Sequence, residues 1–235
     1  MSRRSQNVEA DIARFASEVA IRIDSIVAKL DVVADHGSSS GSEFDHFVDV
    51  TRQMLVDGEI GDVLAGAGYA VSHDDFRRPP AMVWWVHRGD AVVERTHSVD
   101  PDSESFYDYA ALRWFRTAAS SGRPTLSGPF IDAWGSNDYT VTVSVPVSES
   151  TGPGGVVAAD VDVRRFVDSL TADLRRIRVP LALVNESDRV VVSTVPALST
   201  GLPIRPRSVR DTAESPVLQR FPVSDYGWSV VSLSG

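Results

Sequence analysis

At 235 residues the chain is long enough for one large domain, or for a domain with a smaller companion. Its 43% hydrophobic and 23% charged residues exclude a disordered polypeptide, and its net charge of −9 argues against broad binding to nucleic acid or to an anionic membrane. The absence of cysteine excludes disulfides, thiolate nucleophiles and cysteine metal sites, and it fits a reducing compartment.

The opening MSRRSQNVEADIARF carries basic residues with no apolar signal-peptide core behind them. No run approaches the ~18 apolar residues of a membrane helix. The expectation is a soluble, cytoplasmic chain without a membrane span. Residues 8–34 then read as one amphipathic helix. Val8, Ile12, Phe15, Val19, Ile23, Ile26, Leu30 and Val33 recur at three- and four-residue spacings. That stripe runs about 40 Å at roughly 1.5 Å per residue and offers a surface for homodimerisation or docking, unless it packs on the chain's own sheet. His36–Phe44, HGSSSGSEF, is a Ser/Gly-rich break, and a second helix is expected over Glu43–Leu55.

Glycines 66 and 68 precede a short strand in DVLAGAGYAVSHD. Ala81–His87 and Ala91–His97 form a hairpin about an Arg88-Gly89-Asp90 turn. Residues 100–122 read as loop, then helix. In Thr140–Val147 the valines at 141, 143, 145 and 147 share one face, while Thr140, Thr142 and Ser144 share the other. A turn, SESTGPGG, leads to an antiparallel partner at Val156–Val163, and a helix follows around Arg164–Ile177. LALVNESDRVVVSTVP is hairpin-like, and FPVSDYGWSVVSL closes the chain as a strand. Strand pairs joined by short turns, with few crossover helices, give an antiparallel α+β fold.

Motifs for catalysis are missing. The histidines at 36, 46, 73, 87 and 97 have no tight metal-ligand spacing, and only His87 and His97 could meet across a hairpin, where a solvated pair is the ordinary expectation. There is no nucleophile elbow and no phosphate loop. The carboxylates are more informative. Asp160 and Asp162 lie two apart in a strand and share a face. They form either a solvated stripe or, beside Thr140, Thr142 and Ser144, the polar wall of a covered pocket. The covering segments are rich in aromatics, among them Trp84, Tyr107, Trp114, Phe130, Trp134 and Tyr139. Such rings either fill core or, beside carboxylates, hold a cation.

FYDYAALRWFRTAASSGRPTLSGPFIDAWGSNDYTVTVSVPV followed by GGVVAADVDVRRFVDSL resembles the distal module of double Cache (dCache, PDC-type) small-molecule sensor domains. LVNESDRVVVSTVP and DYGWSVVSL are similar to the opening and closing strands of the proximal module. The resemblance implies PAS-like antiparallel modules behind a long N-terminal helix. It places the helix at 1–38, a distal ligand module at 39–163, a connecting helix at 164–178 and a short proximal module at 179–235. It further implies a binding protein and not an enzyme, with no cofactor.

By the same resemblance Tyr107, Trp114, Phe130, Asp132 and Asp160 stand at ligand-binding positions, and Trp84 and Tyr139 join the expected site from the aromatic cluster. The arginine that holds an amino acid's carboxylate in the family falls at Leu112 here, with Arg113 one step of about 100° round the helix. The expected ligand is therefore an amine, a quaternary amine or an amino-acid derivative. Most relatives are extracytoplasmic parts of membrane receptors, so a chain without a span would signal through a separate, unidentified partner. Two rivals stand beside the sensor: a small hydrolase or lyase using Asp132 and Asp160 as acid and base, and a scaffold with a vestigial pocket.

Overall fold

The computed structural model describes residues 3–36, 43–56, 61–71, 81–98, 100, 102–132, 134, 138–147, 154–204 and 217–234. The linker at 37–42 and the turn at 148–153 lie outside the described residues, as do His73 and the side chains of His36 and His46. Helix α1 spans Arg3–His36 and α2 Glu43–Val56. Strands β1 (Leu64–Val71), β2 (Met82–Arg88) and β3 (Ala91–Glu94) follow. A 3₁₀ turn at Tyr109–Ala111 leads into α3 (Arg113–Ser121). Then come β4 (Thr125–Ile131), β5 (Tyr139–Val147), β6 (Gly155–Asp162) and α4 (Val163–Leu174). The chain closes with β7 (Leu181–Val184), β8 (Val190–Ser193), β9 (Val217–Val223) and β10 (Trp228–Leu233).

The strands form two sheets, one ordered β3-β2-β1-β6-β5-β4 and one ordered β8-β7-β10-β9. The α+β architecture expected from the sequence is the one observed. Two details differ. Gly66 and Gly68 lie inside β1, not before it, because Trp84 of the neighbouring strand lies across them: a Cβ on Gly68 would come within 2.5 Å of the Trp84 ring and 2.1 Å of the Val83 carbonyl oxygen. Only glycine admits so close an approach. The closing strand is a hairpin, since β9 also pairs with β10 along its length.

The chain divides into two compact units. One comprises Ser25–Ser127 and Asp132–Asp162; the other comprises Met1–Asp24, Gly128–Ile131 and Val163–Gly235. In the first, the two faces of the six-stranded sheet have different coverings. Val83, Tyr69, Val157, Ala159 and the β5 valines are buried on one face, where Phe47 of α2 stacks on Tyr69 at 4.0 Å and Trp85 donates its indole N–H to the Val48 carbonyl at 2.9 Å. On the opposite face Met82, Trp84, Ala70, Val156 and Ala158 pack with Tyr109, Trp114, Phe115 and Ala118. The η-turn and α3 thus supply the second layer.

In the other unit, the start of α1 is tied down by Arg22, which donates to the Ser169 carbonyl at 3.4 Å, and by Asp24, which accepts from Ser224 at 2.8 Å. The α1 stripe from Ile12 to Val33 is buried within the protein itself, so it is not an exposed docking surface. Ile21 and Val32 are the large apolar side chains that the described part of α1 leaves outside. Among the described residues no helix is long and apolar enough to cross a membrane.

Candidate functional site

The site grows from the register of β6 between its neighbours. Asp160 stands opposite Thr142 on β5 and opposite Gly66 on β1, so these residues point to one face of the sheet. Thr142 donates its hydroxyl to Asp160 Oδ1 at 2.6 Å. On β1 the facing positions are Gly66, Gly68 and Ala70, and on β6 Ala158 follows. Residues this small leave a depression, and Trp84 lies along it with its indole nitrogen over Gly66: a Cβ there would sit 2.7 Å from Nε1. Asp160 therefore shares the sheet face on which the Trp84 indole lies over Gly66 and Gly68. It keeps partial exposure, unlike its neighbours Ala158 and Ala159.

Burial is the main force on its carboxyl. It raises the pKa of Asp160 to about 7, with Thr142's hydrogen bond acting against the rise and the charge of Asp132 adding to it. Holding this carboxyl ionised in an empty site costs on the order of 4 kcal/mol relative to water.

The lid comes from the segment before α3 and the loop after β4. Tyr107 is half-buried and stacks on Trp134 at 4.3 Å with the rings 13° apart. Its phenol is held far above the ordinary tyrosine range, first by burial and then by the negative charges of Asp160 and Asp132, while a hydrogen bond with Trp114 works the other way. Trp114 is buried and lies 5.7 Å from Trp84. Asp132 Oδ1 accepts the Trp134 backbone N–H at 3.2 Å, which fixes the turn that carries Trp134. The Arg95 guanidinium sits 5.2 Å from the Trp134 ring centroid. Trp134 thus touches both a stacked phenol ring and a guanidinium.

Of the residues expected from the sequence, Tyr107, Trp114, Asp132, Asp160 and Trp84 all fall in the same compact unit. Asp132 and Asp160 come from separate segments and interact electrostatically. Tyr139 belongs to this unit too, at the exposed start of β5. Phe130 is 37% exposed and groups with the other unit. Leu112 precedes α3 as its N-terminal cap residue, and Arg113 is exposed in the first turn. His87 and His97 do not meet: His87 lies opposite Val92, while His97 packs edge-on to Tyr109 and Trp134, where burial lowers its pKa. Among the described residues no group of three or more His, Asp or Glu is placed to hold a metal ion.

Sequence reasoning counted Trp134 among the covering aromatics without placing it in the site, and it left out Arg95. Trp134 carried a signal, since it lies two residues past Asp132 in an Asx-turn pattern. Arg95 carried none, because its partner is set by the fold of the loop after β4.

Comparison with known proteins bears on this arrangement. Residues 62–168 match the family model described as "Methyl-accepting chemotaxis protein-like, first PDC sensor domain". Among curated proteins none matches the sequence. Among solved structures, methyl-accepting chemotaxis protein X is similar at 16% identity over 97% of this chain and 96% of that one, with a TM-score of 0.65. The ligand-binding domain of the Pseudomonas aeruginosa PAO1 amino acid chemoreceptor PctC, in complex with GABA, aligns at 17% identity and a TM-score of 0.60, covering 94% and 96% of the two chains. That of the Pseudomonas fluorescens chemoreceptor CtaA, in complex with L-valine, aligns at 13% identity and a TM-score of 0.64, covering 97% and 96%. These are sensor proteins, and the shared feature at such identities is the fold. Residues 62–168 thus resemble a PDC sensor domain, and the chain as a whole shares its fold with these ligand-binding domains.

Proposed function

We propose that this domain senses a small amine, quaternary amine or amino-acid derivative bound in the recess of the six-stranded sheet. The observation that carries the reading is the part-buried Asp160, a carboxyl whose ionisation is opposed by its surroundings, with Asp132 in electrostatic range and Tyr107 and Trp114 alongside. A cation entering the recess would relieve the cost of the two negative charges and gain charge-assisted hydrogen bonds and contact with aromatic faces. Tyr107, Trp114, Asp132, Asp160 and Trp84 form the binding set in this reading, with Tyr139 at its margin.

The solved relatives with GABA, L-valine and L-Arg support an amine-bearing ligand class. The exposed Leu112, where the family places its carboxylate-binding arginine, favours the amine end of the ligand over the carboxylate end. Binding would stabilise the occupied form and shift the population that a separate signalling partner reads.

Thermal-shift screening of amines, quaternary amines, amino acids and dicarboxylates tests this. Stabilisation by cationic ligands and none by dicarboxylates is the expected pattern. The reverse pattern would overturn the ligand class.

A further inference from the structure

Arg95 is placed by the sheet and used by the lid. It follows β3 directly, and its backbone N–H donates to the Trp84 carbonyl at 2.7 Å, which fixes it beside the strand that carries Trp84. The residue is half-buried, with its guanidinium 5.2 Å from the centroid of Trp134. Trp134 in turn stacks on Tyr107 at 4.3 Å, and the Tyr107 phenol lies within electrostatic range of Asp160 and Asp132. All of these residues belong to one compact unit.

The guanidinium nevertheless leaves the carboxyls alone. Among the described residues Arg95 makes no ion pair. The charge that acts on Asp160 is that of Asp132, and the charges that act on Tyr107 are those of the two carboxyls. A guanidinium within ion-pair reach of Asp160 would hold that carboxyl down and take the place of a cationic guest. Arg95 instead rests on aromatic surface. His97, two residues on, packs edge-on to the same indole at 6.3 Å, but burial lowers its pKa and leaves it neutral at pH 7. Of the two basic side chains on this segment at the lid, Arg95 is therefore the cation. The site has two poles, a pair of carboxyls and a guanidinium, with the rings of Tyr107 and Trp134 between them.

We infer that Arg95 is the anion-binding residue of this site, and that the ligand is a zwitterion whose ammonium and carboxylate stand several carbons apart. The inference rests on the reading of Asp160 and Asp132 as the ammonium site, and it adds the second pole. A guanidinium suits a carboxylate because it offers two parallel N–H donors, and its seat on an indole face holds it in place without using them. Two aromatic steps between the poles favour widely spaced charges over the one-carbon spacing of an α-amino acid.

Calorimetry on the whole chain at pH 8 tests this with 5-aminopentanoate and pentylamine, which differ by the carboxylate. The parent protein is expected to bind 5-aminopentanoate about tenfold more tightly. In Arg95→Gln, affinity for 5-aminopentanoate should fall about 30-fold and that for pentylamine about threefold, so that the preference disappears. Arg95→Lys, which keeps a point charge without the fork, should recover part of it. The ratio of the two affinities is the decisive readout, because a variant that merely loosens the lid weakens both probes alike.

Equal binding of the two probes by the parent, or a preference that survives in Arg95→Gln, overturns the inference and leaves the amine reading standing. Failure of both probes to bind the parent overturns the amine reading, and the inference with it. The spacing has its own test. Across the series from glycine to 6-aminohexanoate, affinity for the parent should rise with chain length, and tightest binding of glycine would overturn the separated poles.

Discussion

The two sheets of this protein are filled by opposite means. In the four-stranded sheet, one face is closed by Ala182, Val184, Val190, Val231 and Leu233, with Val195, Leu198, Ile204 and Val217 packed against them. Every position in that cluster is aliphatic and none can ionise. In the six-stranded sheet, the face toward α3 carries Gly66, Gly68 and Ala70 on its central strand, and the bulk comes from Trp84, Trp114, Tyr107 and Trp134 laid over them. The first arrangement spends its volume on packing and leaves nothing to bind. The second removes side chains from the floor, sets large flat rings above it, and places a carboxyl in the space between. The proposed site therefore depends on what β1 lacks as much as on what β6 carries.

The sharpest way to break this contrast is to refill the floor. Gly68→Ala puts a methyl group against the Val83 carbonyl and the Trp84 ring at distances no Cβ tolerates. The expected loss is about 3 kcal/mol of stability, read as a lower midpoint of chemical denaturation, together with loss of amine binding as Trp84 is displaced. Unchanged stability would mean that the indole does not lie across β1.

Removing the charge tests the other half. Asp160→Asn keeps an acceptor for Thr142, and affinity for a small quaternary amine should fall about 100-fold by calorimetry. The same variant should be the more stable protein at pH 8 in the absence of ligand, because the folded state no longer holds an ionised carboxyl in a recess. If Asp160→Asn destabilised the empty protein at that pH, the carboxylate would be well solvated or already paired, and the cation argument would lose its basis.

The architecture was legible in the sequence to a greater degree than the pocket. Heptad-like spacing from Val8 to Val33 marked α1, and the alternation from Thr140 to Val147 marked β5, because both patterns are local. Gly66 and Gly68 misled in the same way that strand β4 escaped notice. Glycine and proline argue against strands, and in TLSGPFI and LAGAGYAV their reasons lie on other strands: Trp84 across β1, and β5 beside β4. Strand β9, VLQRFPV, is exposed at most positions and has no apolar face to announce it.

At the site, Asp160 stood out through its strand position and Asp132, Tyr107 and Trp114 through the family pattern. Arg95 did not, because it acts on a residue dozens of positions away. Periodicity along α1 also could not reveal that the helix up to Asp24 groups with one unit and the rest with the other.

Acidity should sharpen the contrast between the sheets further. Asp160 has its carboxyl pKa raised to about 7 in the folded protein against 3.8 for the ordinary group. The folded state therefore binds more protons than the unfolded state between those values, and this group's contribution to stability is fully present below pH 4 and lost as pH rises toward 7. Cation binding runs the opposite way, since it needs the ionised form. Affinity for a quaternary amine, whose own charge does not titrate, should fall about tenfold per pH unit below 7 and level off above it. A flat profile between pH 5 and 8 would show that Asp160 is ionised throughout, and the recess would then be as wet as an ordinary surface.

The smallest expected effect concerns the outer layer of the lid. Arg95 lies over the Trp134 ring, which also stacks with Tyr107. A cation–π contact at a partly exposed site is worth about 0.5–1 kcal/mol. Arg95→Ala should leave the aliphatic sheet untouched and weaken amine binding about threefold, whereas Arg95→Lys, which retains the charge above the ring, should recover part of that loss. The stack itself is what the pair of variants interrogates. If the lid is held only by the Asp132 turn, both will bind as the parent does. If Arg95 helps to keep Trp134 flat on Tyr107, their affinities will rank in the order of the cation left above the indole.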